Sequence, residues 1–456
     1  MRMLRQRLGS HLLTVSVVWL GAVACPSPQV DPVETGPVAS DASPHVDAGV
    51  QSPDTGARRD LGIAIEDSGL SRDVSSVPVD ASFAVDTGSA LDAGPERPDS
   101  GLSRDTGPEV VDDLDALLDR WFADYNQGQS TDYLEDEGRH FVDGDAQAQG
   151  LPEHQYYENV SYGPFNRNRL DFWQPVSAEP TPVAVFIHGG GFVSGERQSL
   201  RQTGALRRLL SAGIGVATIS YRWAFRGPRA ALAAQIPNGS GDNQDTNGVR
   251  LDYILRDCAR SIQYLRFRSA DWNLDPNKVA VWGSSAGAGC ALWTASVPDL
   301  AQEGHSDPVL QQSSRVQVVG HNYGQVTYAF QRWPALLGFD RDWLLNQLGN
   351  KQTSLTHLSV EDFTGTPLGR DLSTVLDYYQ HLDASDPPMI TVNNSVDLAQ
   401  ASITNASQVL HHVRGHYALF ERCQGVGMTC AIRSRARNEG FEQDIVAFVI
   451  QRLADD

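Results

Sequence analysis

The chain has 456 residues and a formal charge of −20, with 36 Lys and Arg against 56 Asp and Glu. A protein that neutralises nucleic-acid phosphates needs clustered Lys and Arg, so this balance excludes a nucleic-acid partner. The length suffices for one core of about 300 residues or for two ordinary domains.

Residues 1–24 read as an export signal. Arg2, Arg5 and Arg7 make a positive head, and the apolar run Leu12 to Ala24 is too short to span a bilayer. The run ends in Ala22-Val23-Ala24-Cys25, which resembles a bacterial lipoprotein box. Lipidation of Cys25 is therefore expected, with the membrane as partner through the lipid anchor and the protein facing the periplasm or cell surface. Cleavage after Ala24 to give a secreted protein is the alternative. From residue 26 to residue 110 there are sixteen Asp and Glu against five Arg, and Phe83 is the only aromatic. Such a segment cannot bury enough apolar surface to offset its ordering entropy, so residues 25–109 are expected to form a disordered acidic linker. Asp67 to Asp73 recurs as Asp99 to Asp105, which reads as duplication within the linker.

Residues 110–456 carry the folded pattern. Leu114, Leu117, Leu118 and Trp121 fall at helical spacing and predict a short amphipathic helix. Beyond Tyr156, short apolar runs alternate with longer amphipathic stretches. Val183 to Ile187, Gly215 to Ile219, Val279 to Trp282, Val316 to Val319 and Met389 to Val392 predict strands. Gln198 to Leu210, Asp252 to Arg268 and Phe441 to Leu453 predict helices. This alternation implies an α/β fold, a mostly parallel central sheet with helices on both faces. The polar stretches Arg226 to Arg250 and Gly324 to Arg370 are insertions of the size that forms lids over a site.

Two motifs carry chemistry. Gly283-Ser284-Ser285-Ala286-Gly287 stands between the strand Lys278 to Trp282 and a helical stretch from Ala288 to Thr294. Strand, sharp turn and helix make a nucleophile elbow, in which small neighbours let the Ser285 hydroxyl rise above the sheet edge. His188-Gly189-Gly190-Gly191-Phe192 directly follows the strand Val183 to Ile187. A carbonyl under attack becomes an oxyanion and needs N–H donors close by, and glycines allow that approach. The expected oxyanion-hole donors are Gly190, Gly191 and Ala286; His188 reads as a structural residue of the loop. Cys423 and Cys430 are close enough in sequence to pair, with free buried thiols as the alternative. No Cys and His spacing resembles a zinc site, so no metal is expected.

From about Tyr157 onward the chain resembles α/β-hydrolases of the hormone-sensitive-lipase and feruloyl-esterase-like (BD-FAE-like) group, exported bacterial members above all. The matching residues are Asn168 to Trp173, His188 to Phe192, Ser220-Tyr221-Arg222, Asp257 to Arg260, Asn273 to Pro276, Gly283 to Ala288, Ser306 to Val309 and Asp386-Pro387-Pro388. The resemblance implies an α/β-hydrolase fold and a carboxylic ester hydrolase that uses Ser, an acid and His and needs no cofactor. It places the acid just past the strand Met389 to Val392, at Asp397; Asp383 and Asp386 precede that strand.

The histidine departs from the pattern. Related chains carry Gly-His between the last strand and the last helix, but Glu439 stands there and no His follows His416. An ordinary Glu is too weak a base for a serine hydroxyl. By comparison with exported relatives, His411 is the matching base, with His412 and His416 as alternatives, as is a triad built differently or broken. The expected activity is serine hydrolysis of small-molecule or polysaccharide esters through an acyl-enzyme at Ser285, Asp397 and His411. The rival reading is an inactive hydrolase fold that serves as a surface binding module.

Overall fold

The computed structural model describes residues 114–224 and 249–454, apart from 127, 202, 350 and 442. The export signal, Cys25, the acidic linker and most of the first polar insertion lie outside the described residues.

A sheet of ten strands runs in the order β1-β2-β3-β5-β4-β6-β7-β8-β9-β10. The strands are β1 (Arg139–Phe141), β2 (His154–Ser161), β3 (Arg169–Pro175), β4 (Thr181–Ile187), β5 (Gly215–Ser220), β6 (Leu274–Ser284), β7 (Val318–Asn322), β8 (Met389–Asn393), β9 (Cys430–Ser434) and β10 (Asn438–Glu439). From β5 through β4 to β9 neighbours pair in parallel; β1 to β3 and β10 are antiparallel additions at the two edges. The five predicted strands are all present. The apolar runs do not mark β1 to β3, β9 and β10: β1 and β10 are exposed, and buried β3 and β9 interleave Arg, Asp, Gln and Ser with their apolar residues.

Successive side chains on the central strands feed opposite faces, as the pleat requires. Val183, Val185, Ile187, Val279 and Val281 enter one apolar core, whereas Ala184, Phe186, Ala280 and Trp282 enter the other. The helices α1 (Leu114–Trp121), α2 (Gly204–Ser211), α3 (Leu251–Phe267) and α4 (Ala286–Ser296) come first in the chain. Helices α1, α3 and α4 contribute to the first core, and α2 with the C-terminal helix Ile445–Ala454 to the second. The predicted helix Gln198 to Leu210 is divided into a short 3-10 turn, Arg197–Leu200, and α2. The break falls at Thr203, whose backbone is extended and whose hydroxyl donates to the Leu200 carbonyl at 2.8 Å. The last helix starts at Ile445 rather than Phe441, and Asp444 accepts the Ala447 N–H at 2.9 Å.

Helix α3 is buried almost all round, including Asp252, Arg256, Asp257 and Arg260. Such charges persist inside only when paired. Asp257 takes two bonds from the Arg222 guanidinium, at 2.7 and 2.8 Å, and a third from the Tyr125 hydroxyl at 2.6 Å. Arg260 pairs with Asp307. Trp121 on α1 donates to Asp252 at 2.7 Å, which fastens the start of the described domain to this network. The insertion after β7 folds into short helices, α5 (Trp333–Leu337), α6 (Arg341–Leu348), α7 (Lys351–Thr356), α8 (Val360–Gly365) and α9 (Pro367–Leu376). Helices α5 and α6 pack against the segment between β8 and β9, which contains α10 (Ala406–Leu410) and α11 (Val413–Gly425).

Candidate active site

The site forms where the sheet reverses its order of growth. The chain leaves β4 for β5 on one side, then returns to add β6 on the other. Ile187 of β4 and Gly283 of β6 lie in register, so both strands end side by side. Crevices at such switch points are where parallel sheets hold ligands.

The elbow after β6 is tight. Ser285 has φ 52° and ψ −122°, a strained conformation for a residue with a side chain. A β-carbon on Gly283 would lie 2.4 Å from the Gly287 carbonyl, and one on Gly287 would lie 2.1 Å from the Ile187 oxygen. Both flanking glycines are thus sterically required. The Ser285 N–H donates to Asn322 on β7 at 2.9 Å, and its carbonyl accepts the Ala288 and Gly289 N–H groups that start α4. The strain is held from both sides, and Ser285 is left half-buried at the rim.

The glycine loop after β4 lies against this elbow. A β-carbon on Gly189 would stand 3.2 Å from that of Ser285. Gly190 and Gly191 take φ of +114° and +60°, and the Gly190 carbonyl accepts the N–H groups of Val193 and Ser194, both at 3.1 Å. The turn therefore points its carbonyl back into the loop. The N–H groups of Gly190, Gly191 and Ala286 make no backbone hydrogen bond among the described residues. His188 is buried, stacks on Tyr221 at 4.4 Å between ring centres and contacts the Gly189 carbonyl. Burial pushes its pKa down to about 3, so the ring is a neutral part of the loop.

The imidazole reaches Ser285 from the segment between β8 and α11. His411 Nε2 lies 2.8 Å from the Ser285 hydroxyl oxygen. His411 closes α10: its N–H donates to the Ser407 carbonyl at 3.0 Å, and its Nδ1 meets the same carbonyl at 3.0 Å. A carbonyl only accepts, so Nδ1 carries the proton and Nε2 offers its lone pair to the serine hydroxyl. Two amides hold the backbone here. Asn393, the last residue of β8, donates to the His411 carbonyl at 3.0 Å, and Gln325 donates to the Leu410 carbonyl at 3.0 Å. Burial lowers the His411 pKa while the Ser407 bond opposes that shift. The ring is therefore neutral at pH 7, the state a base requires.

The other late histidines point elsewhere. His412 Nε2 donates to the Leu398 carbonyl at 3.0 Å, and its other nitrogen caps α11. His416 is buried, 2.6 Å from the Thr391 hydroxyl and packed on His321. The expectation for Asp397 is corrected. Its carboxylate accepts from Arg414 Nε at 2.7 Å and stands 4.0 Å from His412, and no bond joins it to His411. The physical reason is competition: the guanidinium on α11 captures the carboxylate, and Ser407 already occupies His411 Nδ1. Asp386 faces Arg315 at the opposite end of β8. Glu439 pairs with Arg437 on the exposed strand β10.

Of the two tryptophans beside the insertions, Trp223 lies under the Arg167 guanidinium at 3.8 Å. Trp333 lines a hollow with Gln325, Val326, Leu337, Val409, Leu410 and His412. Cys423 and Cys430 form a disulfide that ties the end of α11 to the start of β9; Cys258 and Cys290 are free and buried. Among the described residues no cluster of His, Cys, Asp and Glu is grouped to hold a metal ion. Ser407, Asn393 and Gln325 escaped the sequence reading, since each acts through a contact with chain remote from any motif.

The BD-FAE family model matches residues 170–238 and 248–399, a span that holds the glycine loop and the elbow and stops before His411. Gut esterase 1 of Caenorhabditis elegans is 28% identical over 145 residues, 32% of this chain and 23% of that protein. Fumonisin B1 esterase of Sphingopyxis macrogoltabida is 30% identical over 146 residues, 31% of this chain and 25% of that protein. The chain thus spans about a quarter of the length of these two relatives. A truncated carbohydrate esterase from gut microbiota superposes with a TM-score of 0.45 at 16% identity, over 66% of this chain and 96% of that one. With a family model matching across both motifs and the sheet order that brings them together, this chain belongs to the BD-FAE-like α/β-hydrolases.

Proposed function

We propose that the protein is a carboxylic ester hydrolase with Ser285 as nucleophile. The observation that carries this reading is the 2.8 Å contact between the Ser285 hydroxyl and a neutral, half-buried His411, at a strained elbow beside a glycine loop. His411 takes the hydroxyl proton as Ser285 attacks the ester carbonyl. The N–H groups of Gly190, Gly191 and Ala286 receive the oxyanion. His411 returns the proton to the leaving alcohol, and water then clears the acyl-enzyme by the same route. Two relatives are named for ester cleavage, which supports the reaction class. The substrates belonging to this reading are small-molecule esters or esters on polysaccharide.

The test is hydrolysis of p-nitrophenyl acetate by the full chain. Wild type turns over and forms a covalent adduct with a fluorophosphonate; Ser285→Ala does neither. Wild-type protein that is folded yet inert to both reagents returns the binding-module reading. Export with lipidation at Cys25 is a separate part of the proposal. Cys25→Ser moves the protein out of the membrane fraction if the anchor is there.

A further inference from the structure

His411 has its two ring nitrogens committed, one to the nucleophile and one to the chain four residues back. Nδ1 lies 3.0 Å from the Ser407 carbonyl and 3.3 Å from the Ser407 hydroxyl. The same carbonyl accepts the His411 N–H. Ring and backbone of one residue are therefore gripped by one oxygen at the end of α10. On the far side, the Asn393 amide holds the His411 carbonyl. The carboxylate at Asp397 is bound by Arg414 beside His412. On the sheet side His416 feels the His411 ring electrostatically and is joined to His321 through the Thr391 hydroxyl. Among the described residues no carboxylate is hydrogen-bonded to His411.

We infer that the imidazole is positioned by Ser407, through its main-chain carbonyl and its hydroxyl, and that Asp397 takes no part in the reaction. This rests on the esterase reading above and replaces its third member. A carbonyl does half of what a triad carboxylate does. It fixes the Nδ1–H tautomer and the ring plane, so Nε2 stays free to accept the hydroxyl proton. It adds no full negative charge, so the imidazolium formed during attack is stabilised less. The Ser407 carbonyl is the one carbonyl of α10 that meets the ring; those of Val409 and Leu410 are taken by the His412 N–H and the Gln325 amide. The site is a serine–histidine pair oriented by Ser407, which is a positioning residue.

The experiment follows the His411 ring by NMR titration in the full chain, with the resonance assigned by its loss in His411→Gln. In parallel it records kcat/KM for p-nitrophenyl acetate against pH. Asp397→Asn is expected to leave the ring pKa within about 0.3 units and kcat within about threefold. Ser407→Asp puts a carboxylate where the hydroxyl stands and is expected to raise the ring pKa by about one unit or more. The acid limb of kcat/KM moves up with it. Ser407→Asn, of the same shape without the charge, produces no such rise. The proposal is overturned if Asp397→Asn lowers the ring pKa by about a unit or cuts kcat by about a hundredfold. It is equally overturned if Ser407→Asp folds and leaves the ring titration unmoved. A wild type without turnover removes the esterase reading, while the titrations still decide which group faces the imidazole.

Discussion

Gly287 faces the carbonyl oxygen of Ile187 so closely that a β-carbon at residue 287 would stand 2.1 Å away from it. This contact joins the nucleophile turn to the end of β4, and so to the glycine loop. Backbone sits on both sides, so nothing flexible can give way. Gly287→Ala is expected to cost at least about 3 kcal/mol and to abolish turnover. Gly191→Ala is the contrast. Its β-carbon would meet nothing, and its φ of +60° costs a side chain roughly 1–2 kcal/mol. Chemical denaturation of the two variants measures the difference; equal losses would show that the close approach at Gly287 carries no weight.

In the proposed mechanism Ser285 and His411 act through one proton. Replacing either by Ala is expected to lower kcat/KM for an activated ester by roughly a thousandfold or more. The double variant is expected to be no slower than the worse single one, because each change alone already disables the shared step. Losses that multiply in the double variant would mean that the two residues work independently. His412→Ala should retain most activity, since that ring is spent on Leu398 and the α11 cap.

The buried imidazoles set the pH dependence. His188 is pushed down to about 3 and His321 to about 4, and His416 and His411 are lowered as well, all chiefly by burial. Each depressed histidine binds its proton more tightly in the unfolded chain. Stability is therefore lost as pH falls below about 6.5, with a slope of up to about 1.4 kcal/mol per unit for each ring. Asp386, raised by burial to about 6, opposes this between its ordinary carboxylate value and 6. His381 and His412 are lowered by burial too, and Asp377 is raised like Asp386; six rings outweigh those two carboxylates, so the unfolding midpoint in urea should drop steadily between pH 6.5 and 4. The acid limb of kcat/KM should lie below 6.5 because His411 stays neutral there. An acid limb above 7 would contradict a half-buried base without a carboxylate partner.

The Cys423–Cys430 disulfide closes a loop of seven intervening steps between α11 and β9. Restricting the unfolded chain over so short a loop stabilises by about 2–3 kcal/mol. Cys430→Ser should show that loss in urea unfolding. Thiol titration of the native oxidised Cys25→Ser chain should find little reaction, because Cys258 and Cys290 are buried. Rapid labelling of two thiols in folded protein would place that pair at the surface instead.

Much of the fold was legible because its signals are local. Strands buried on both faces read as short apolar runs, and Val183 to Ile187 or Met389 to Val392 need no partner to be recognised. The edge strands Arg139–Phe141 and Asn438–Glu439 are largely exposed, so no apolar pattern marks them. Glycine spacing announced the elbow and the donor loop, since only glycine tolerates the close backbone approach seen at Gly283 and Gly287.

The sequence by itself determined the nucleophile turn, the glycine loop and the alternation that makes a parallel sheet. Each depends on residues within a few positions of one another. Only the tertiary structure decided what completes them. Ser285 and His411 are 126 residues apart, and the choice among three histidines rests on how the segment after β8 packs. Asp397 sits where a triad acid belongs, yet Arg414, one helix further along, holds it away from the ring. A charge goes to whichever partner folding brings within reach, and that competition leaves no trace in the order of residues.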